Sequence, residues 1–526
     1  MEEVSQEITK ETFYSGHNGT SEFENYVLMG AYPSSLLLFS LLHLVFPISS
    51  YRKTFWTPFV WDFLLLVSPV ILACTILSDY ALVLLLVQLA TSLVLILAVT
   101  LQDGNSKLFR YMRTFKHQVV EIDSHRHFLT HFRVCINIAT VICILAVDFQ
   151  VFPRRFAKAE TYGRGFMDLG VGLFMIGNAV VAPEARGKAS SMHHKRTLVL
   201  AVTDIFRTVI SCSPLLILGV GRLLSLKTVD YHEHVSEYGV HWNFFFTLAA
   251  VRILVTIVFT VIPVSLSGAL AIILTVCYQY LLNMYGLKDY ILHGSDGKGS
   301  RSGILDANRE GIYSCVGYSA IYLAGVSIGS FVFQKRSTIG DWMTCLLKLA
   351  FCNATLFLLS LTVCPKMDSV SRRLANLPYV VWVVTSFLSC LIVLLSLEMF
   401  VIFISSNRTL AKAGPGMVPR LPYGPSRSPL RRTRRERGLQ DKNMDRNQSN
   451  HNTASGPPHP LIVAAISRNQ LLNFLLANVL TGLVNIYVDT LSVTTMVGCA
   501  IVTAYTFVLC LIMVILHHNN ISTKFW

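Results

Sequence analysis

The segment DFQVFPRRFAKAE, which begins at Asp148 and ends at Glu160, contains residue types that can accept a proton and stabilise a new negative charge. Asp148 directly follows the apolar run 138–147, so its carboxylate is expected at or within a membrane boundary. There it can act as a general base toward a hydroxyl group, while the ammonium group of Lys158 can stabilise an oxyanion. The two residues therefore supply both residue types of a catalytic pair.

Two arginines lie inside this segment, directly after a proline. Pro153 produces a break or turn that can fold the cations back onto the preceding carboxylate. A guanidinium group can bind phosphate through paired hydrogen bonds, so Arg154 and Arg155, together with Glu160, are candidates for contacting an acidic lipid substrate. The alternative interpretation is an interfacial ion-pair cluster whose cations extend to the lipid headgroups.

A second polar segment, GSDGKGSR at 294–301, is rich in glycine and is followed by Asn308, Arg309 and Glu310. It lacks the Walker A spacing GxxxxGK[ST], and no strand precedes it, which excludes nucleotide hydrolysis. Glycines do allow the backbone to approach a sugar or phosphate headgroup closely, so the three residues that follow are candidates for substrate binding. The alternative is a polar turn followed by a capped helix start.

A third segment, EYGVHWNFFFT at 237–247, lies at the start of an apolar run. His241 is a possible base and Asn243 a possible substrate contact, whereas Trp242 is typical of the aromatic belt at a membrane interface. The alternative for His241 is a simple capping or hydrogen-bonding role. No GxSxG or HExxH motif occurs in a suitable context, which argues against serine hydrolases and zinc proteases.

Composition indicates which elements must position these segments. The chain has 526 residues, 53% of them hydrophobic and 14% charged, which leaves too little polar surface for a water-soluble globule of this size. The twelve cysteines fall mainly inside apolar runs without a CxxC pair, so neither a disulfide framework nor a metal site is expected. The net charge of +14 lies largely in loops that flank apolar runs, where it reports membrane orientation and not nucleic-acid binding.

The predicted fold is an all-α, polytopic transmembrane bundle, because helices satisfy their own backbone hydrogen bonds in lipid. A crossing of the hydrocarbon core needs about 20 mostly apolar residues. About thirteen runs qualify: 27–47, 59–78, 81–101, 132–149, 167–183, 205–224, 242–262, 266–285, 312–333, 342–363, 378–404, 470–488 and 494–516.

Alternate loops between these spans differ in charge. The loops 102–131, 184–200 and 405–469 are rich in Lys and Arg, which predicts that they face the cytosol. The loops 148–166 and 286–311, and the amino terminus with a glycosylation sequon at Asn18, then face the lumen. The carboxyl terminus is predicted to be cytosolic.

Four regions follow from this pattern. Residues 1–26 form a luminal tail, 27–404 a transmembrane catalytic bundle, and 470–526 the last two spans with the carboxyl terminus. The loop 405–469 is rich in Pro, Gly, Ser, Asn and Arg, so it cannot bury a core and is predicted to be a disordered, basic cytosolic linker.

Three segments together resemble the GPI inositol acyltransferase family. They are LAVDFQVFPRRFAKAETYGRGFMDLGVG from Leu145, EYGVHWNFFFT from Glu237 and GSDGKGSRSGILDANREGI from Gly294, and they occur in the order seen in that family. The resemblance covers essentially the whole chain except the amino terminus and the basic loop. Two positions depart from the family pattern: Arg164 replaces a small polar residue, and Asp306 replaces Asn.

The resemblance implies an endoplasmic reticulum enzyme of GPI-anchor biosynthesis. Such an enzyme transfers a long acyl chain, typically palmitoyl, from acyl-CoA to the inositol 2-hydroxyl of glucosaminyl-phosphatidylinositol. Acyl-CoA is then a co-substrate, and no other cofactor is expected. On this hypothesis Asp148 accepts the hydroxyl proton, while Lys158 orients Asp148 or stabilises the tetrahedral oxyanion.

Two other classes remain open at this stage, a lipid or solute transporter and a noncatalytic membrane scaffold. A transporter predicts ionisable residues near the middle of spans and an inverted repeat, whereas most charges here lie at span ends and no repeat is found. A scaffold predicts that the segment from Asp148 to Glu160 tolerates substitution.

Overall fold

The computed structural model describes residue 13 and residues 16–46, 55–103, 126–187, 198–229, 237–412 and 460–523. Within these ranges the chain is helical and forms no strand. A single isolated β-bridge joins Gly19 to Arg164. The predicted all-α, polytopic bundle is therefore confirmed for the described part of the chain.

Long membrane helices alternate with short helices at their ends. The first group is α1 (Glu22–Val45), α2 (Trp56–Cys74), α3 (Ala81–Asp103), α4 (His127–Ala146), α5 (Asp168–Ala179), α6 (Leu198–Val229), α7 (Phe244–Val261) and α8 (Ser267–Met284). The second is α9 (Leu287–His293), α10 (Gly303–Ala307), α11 (Arg309–Val332), α12 (Ile339–Thr362), α13 (Cys364–Met367), α14 (Leu377–Lys412), α15 (Leu461–Arg468), α16 (Gln470–Tyr487) and α17 (Thr495–His518).

Twelve helices within the described ranges are long and apolar enough to cross a bilayer, and they coincide with twelve of the predicted spans. The span predicted at 167–183 differs. Its helix, α5, has only 12 residues, or about 18 Å at 1.5 Å per residue, which is shorter than the hydrocarbon core. Turns follow it as far as Gly187, and Pro183 among them lacks the N–H that a continuing helix needs.

The chain after α5 nevertheless continues beside the last turns of α11 and reaches its end. The backbone there lies so close to α11 that a Cβ on Gly329 would be 2.8 Å from the Cβ of Ala185. Farther on, the guanidinium carbon of Arg186 lies 5.3 Å from the ring centre of Phe333, just beyond the end of α11. Non-helical backbone is tolerated at membrane depth where protein buries it, so a short helix continued by turns is compatible with the thirteenth crossing, which stays a prediction.

A partly buried ion pair fixes the turns after α5. Arg252, in the middle of α7, donates to both carboxylate oxygens of Glu184 at 3.0 and 3.1 Å and to the hydroxyl of Tyr322 on α11. The arrangement joins the turns after α5 to two neighbouring helices. Charges inside a bundle are tolerated when they are paired and hydrogen-bonded in this way.

The structure shortens the predicted linker 405–469 at both ends. Helix α14 continues to Lys412, and Leu461–Arg468 forms α15, most of whose apolar side chains are buried. Helix α15 belongs to the bundle because the carboxylate of Asp62 accepts a hydrogen bond from the N–H of Ile462. The central part of the predicted linker, 413–459, lies outside the described residues.

Candidate active site

Four chain segments meet at one end of the bundle, which is called the motif end below: 147–166, 237–243, 294–311 and 368–376. The N–H of Val240 donates to the carbonyl of Ala307 at 2.9 Å, which joins the second segment to the third. The N–H of Gly163 donates to the carbonyl of Val370 at 2.9 Å, which joins the first segment to the fourth. The three segments that carry the family resemblance are therefore brought together.

The fourth segment was missed by the sequence analysis. It contains the run SVSRRLAN, in which Arg372 is buried and Arg373 is partly buried against the other segments. The sequence did mark this segment. Lys and Arg are expected mainly in cytosolic loops, and these two arginines lie beside an apolar span on the side predicted to be luminal. The same exception drew attention to the segment around Lys158.

Arg372 links three elements of the motif end. Its Nε donates to Asp168 Oδ1 at 2.8 Å, and a terminal nitrogen lies 3.3 Å from Glu237 Oε1. The same Glu237 oxygen accepts from Lys158 Nζ at 2.7 Å. Burial alone would raise the pKa of Glu237, but Lys158 and Arg372 lower it to about 2, so this carboxylate is ionised at physiological pH.

Asp168 fixes the fold of the first segment. Its Oδ2 accepts hydrogen bonds from the backbone N–H groups of Ala159 and Gly165, both at 2.9 Å. The side chain is fully buried, and its charge is balanced by Arg372. The segment that carries Lys158 is therefore anchored to the start of α5 by one carboxylate.

Asp148 lies in a different part of the motif end, just beyond α4. The residue is only 4% exposed, and its Oδ2 accepts a hydrogen bond from Asn485 Nδ2 of α16 at 2.8 Å. Burial raises the pKa of Asp148 to about 6, although the hydrogen bond from Asn485 and the charge of Arg154 act in the opposite direction. A carboxylate with this pKa is a suitable general base near neutral pH.

The structure does not join Asp148 to Lys158. Among the described residues, Asp148 has Asn485 and Arg154 as its neighbours, and Lys158 pairs with Glu237. The expected fold of the segment holds in part, because the chain turns at Pro153 and brings a cation back to Asp148. That cation is Arg154. The catalytic roles of Asp148 and Lys158 stay predictions.

The two arginines of the first segment have different surroundings. A terminal nitrogen of Arg154 donates to the carbonyl of Val147 at 2.8 Å, so this side chain closes the turn beside Asp148. Arg155 points elsewhere and pairs with Glu24 at 3.0 Å and Asp79 at 2.6 Å. Arg154 is thus placed to act on Asp148, and Arg155 ties the segment to the first helices.

Residues near the amino terminus also pack on the first segment. Glu160 accepts a hydrogen bond from the N–H of Gly16, and Arg164 pairs with Glu22 at 2.7 Å. Arg164, which departs from the family pattern, is therefore paired with a carboxylate of this chain. The side chain of Asn18 is exposed, and its glycosylation stays a prediction.

The second and third segments hold each other through side-chain amides. Asn308 Oδ1 accepts a hydrogen bond from the N–H of His241 at 2.7 Å, while the imidazole of His241 is exposed. Asn243 caps α7, because its Oδ1 accepts from the N–H groups of Phe245 and Phe246. Both amides have structural partners, and their predicted substrate contacts stay predictions.

Arg309 and Glu310 shape the glycine-rich loop from within. Nitrogens of Arg309 donate to the carbonyls of Ile291 and Ser300 at 3.0 and 2.8 Å, and Arg309 also pairs with Asp306. Glu310 has no exposed side-chain surface and pairs with Arg301 and Arg373, both at 2.8 Å. These two residues hold the loop in place, and their direct contact with substrate stays a prediction.

Asn485 is the other functional candidate that the sequence analysis missed. It lies in the span 470–488, which also contains Asn473 and Asn478, so the sequence does not distinguish it from the other amides of the span. Its role depends on the distance between α16 and the end of α4, which the order of residues along the chain does not reveal. Glu237 and Asp168 were both inside the quoted motifs but were not selected.

Chemically, the motif end offers a buried carboxylate suited to accept a proton and a separate group of cations suited to anionic oxygens.

The family described as GWT1 matches residues 6–516. The chain is 37% identical to glucosaminyl-phosphatidylinositol-acyltransferase PIGW of Bos taurus, over 99% of this chain and 100% of that protein. It is 34% identical to the Homo sapiens protein of the same name, over 99% and 100%. GPI-anchored wall transfer protein 1 of Aspergillus fumigatus is 33% identical, over 98% of each chain.

Proposed function

Because the chain belongs to the GWT1 family, we propose that it is a membrane acyltransferase of GPI-anchor biosynthesis that acylates the inositol of glucosaminyl-phosphatidylinositol. The observation that carries this proposal is the meeting of the three family motifs at one end of the bundle, where Asp148 is buried beside Asn485 and Lys158 pairs with Glu237. An ionised headgroup fits cationic loops, and the tails of an acyl donor and a lipid acceptor fit a membrane bundle. Neither a transporter nor a scaffold is favoured by a specific feature of the described residues.

The acyl donor in this proposal is acyl-CoA, and the acceptor is the inositol 2-hydroxyl. Asp148 accepts the hydroxyl proton while the hydroxyl oxygen attacks the thioester carbonyl. The tetrahedral intermediate then forms the ester and releases CoA as a thiolate, which takes the proton from Asp148 and so restores its carboxylate. Asn485 and Arg154 hold Asp148 in its ionised form before the attack.

Lys158 supplies the oxyanion contact in this mechanism. Its side chain is 38% exposed, so its ammonium group remains accessible despite its pair with Glu237. Arg372 contacts the same Glu237 oxygen, so Lys158 can move toward an anionic intermediate without leaving Glu237 unpaired. This sharing of Glu237 supports the proposed role of Lys158.

Replacing Lys158 by alanine is expected to lower kcat by about 10² to 10³, which is typical for loss of one oxyanion donor. The rate of acyl-inositol formation by purified protein measures this effect. Lys366→Ala is the matched control, because Lys366 is an exposed lysine of α13 outside the network and its loss should leave the rate unchanged. A Lys158→Ala protein with full activity would refute the assignment.

The pH dependence provides a separate test of Asp148. With its pKa at about 6 in the free protein, kcat/KM should rise with pH through that region as the carboxylate loses its proton. The variant Asn485→Leu removes a hydrogen bond that favours the ionised carboxylate, so the acid limb of the profile should move upward by about one pH unit. An unshifted acid limb in a correctly folded variant would show that Asp148 is not the titrating base.

The donor is tested by labelling the palmitoyl chain. Purified protein is incubated with glucosaminyl-phosphatidylinositol and a labelled palmitoyl group carried either by CoA or by phosphatidylcholine. Labelled product from the CoA donor is the expected result. Label that reaches the product only from phosphatidylcholine would exclude acyl-CoA as the donor.

The proposal also includes the location and sidedness of the enzyme. It is an endoplasmic reticulum protein whose amino terminus and motif end face the lumen and whose carboxyl terminus faces the cytosol. The charge of the loops at the opposite end supports this orientation. The exposed side chain of Asn18, on the luminal side in this arrangement, is compatible with glycosylation.

A further inference from the structure

At the end of the bundle opposite the motif end, three guanidinium groups surround two aromatic rings. The guanidinium carbons of Arg126 and Arg336 lie 4.7 and 5.1 Å from the ring centre of Trp342. That of Arg186 lies 5.3 Å from the ring centre of Phe333. The five residues come from the start of α4, the turns after α5, the chain beyond α11 and the start of α12, so the fold builds this cluster from separate parts of the chain.

Positive charge exceeds negative charge around these rings. Arg133 of α4 lies within electrostatic range of Arg186, and Lys348 of α12 faces the same region. Within the described part of the chain, the carboxylates that face these cations are Glu398, which accepts from the N–H of Phe128, and Asp341, which caps α12. The cations therefore outnumber the carboxylates that face them.

The arrangement is more specific than the usual excess of Lys and Arg in cytosolic loops. Loop cations are solvated and separate, whereas here Arg126 and Arg336 lie close enough to repel each other. Burial lowers the pKa of Arg126, and Arg336 lowers it further. The indole N–H of Trp342 is also buried, and no described residue accepts a hydrogen bond from it. Arg336 also donates to the carbonyls of Phe331 and Val332, and the region concentrates positive charge that an anion would stabilise.

We infer that Arg126, Arg133, Arg186 and Arg336, called the arginine group below, bind an organic phosphate. Guanidinium groups suit phosphate because they form paired, charge-assisted hydrogen bonds with its oxygens. Two sources can supply this chemistry, the nucleotide end of acyl-CoA and the headgroup of an anionic phospholipid. Only the first source rests on the proposed function.

The site is separate from the place of acyl transfer. Helix α11 has 24 residues and joins the two ends, with Arg309 at the motif end and Phe333 just beyond its other terminus. A helix of that length spans about 36 Å. A phosphate bound by the arginine group is therefore held away from Asp148. It belongs either to acyl-CoA that is entering the bundle or to a phospholipid of the surrounding membrane.

The test measures binding and does not depend on acyl transfer. Full-length protein carrying Arg133→Gln and Arg186→Gln is placed in nanodiscs of phosphatidylcholine, with or without phosphatidylserine, and free CoA is titrated without acceptor lipid. Retention of phosphatidylserine during purification is measured in parallel. Arg186→Gln alone is a second variant that the fold should tolerate, because this side chain is exposed. Arg207→Gln is the control, because it removes an exposed arginine of α6 outside the group.

Loss of two charge-assisted contacts should weaken binding by about tenfold or more, and loss of Arg186 alone should weaken it less. Weaker CoA binding in phosphatidylcholine discs supports the nucleotide source. Unchanged CoA binding with loss of retained phosphatidylserine supports the lipid source. If the variants match wild type and Arg207→Gln in both measurements, the arginine group binds no phosphate and the inference is overturned. Acyl transfer can then still succeed, so the two proposals fail separately.

Discussion

Asp148→Asn is expected to lower kcat for inositol acylation by about 10² to 10⁴, the range that a general base contributes. Asparagine keeps the size of the side chain and an oxygen that can accept from Asn485, so the surrounding fold should be preserved. The lost property is the ability to take up the proton of the attacking hydroxyl. The rate of ester formation at saturating substrate, with protein of wild-type thermal stability, measures the effect.

Asp79→Asn is the matched control for this change. Asp79 is an exposed carboxylate that pairs with Arg155, and its side chain is 73% exposed. Removal of its charge should leave kcat close to the wild-type value, since surface ion pairs contribute at most about 1 kcal/mol. Equal loss of activity in both variants would mean that the fold, and not proton transfer at Asp148, explains the result.

The largest loss of stability is expected for Arg372→Met. The substitution keeps much of the side-chain volume but leaves the buried carboxylate of Asp168 without its ion partner. Removal of one partner from a buried ion pair costs about 3 to 5 kcal/mol of unfolding free energy. Thermal unfolding of the purified protein, followed by intrinsic fluorescence, should show a clear fall in Tm.

A paired substitution separates charge from packing in this test. In the variant Asp168→Asn with Arg372→Met, the uncompensated charge is removed, so part of the lost stability should return. Arg155→Met is the control, since its partners Glu24 and Asp79 are partly or largely exposed and its loss should change Tm little. A Tm for Arg372→Met equal to that of Arg155→Met would show that the network around Asp168 does not stabilise the fold.

The membrane spans were predictable because their signal is local. A run of about 20 apolar residues is long enough to cross the bilayer wherever it lies in the sequence, and twelve such helices are found in the described ranges. The exception is α5, where apolar composition continues to 183 but the helix ends at Ala179. Its irregular continuation depends on burial against Gly329 and on the pair of Glu184 with Arg252, which are tertiary contacts.

The candidate site was predictable only in part, for a related reason. The motifs identified three segments, one of which carries both Asp148 and Lys158, and the structure brings these segments to one end of the bundle. The partners within the site are separated by long stretches of chain, such as Asn485 beside Asp148 and Arg372 beside Glu237. Composition and spacing carry no information on such pairs, so the expected pairing of Asp148 with Lys158 was replaced by two separate groups.

Acylation of a chosen hydroxyl is the most direct test of the account. Wild-type protein in nanodiscs is given palmitoyl-CoA and either glucosaminyl-phosphatidylinositol or its analogue without the inositol 2-hydroxyl, and the products are identified by mass spectrometry. The account predicts one added palmitoyl ester on the natural acceptor and none on the analogue. Equal acylation of both acceptors, or no ester on the natural acceptor with protein that still binds it, would contradict the account.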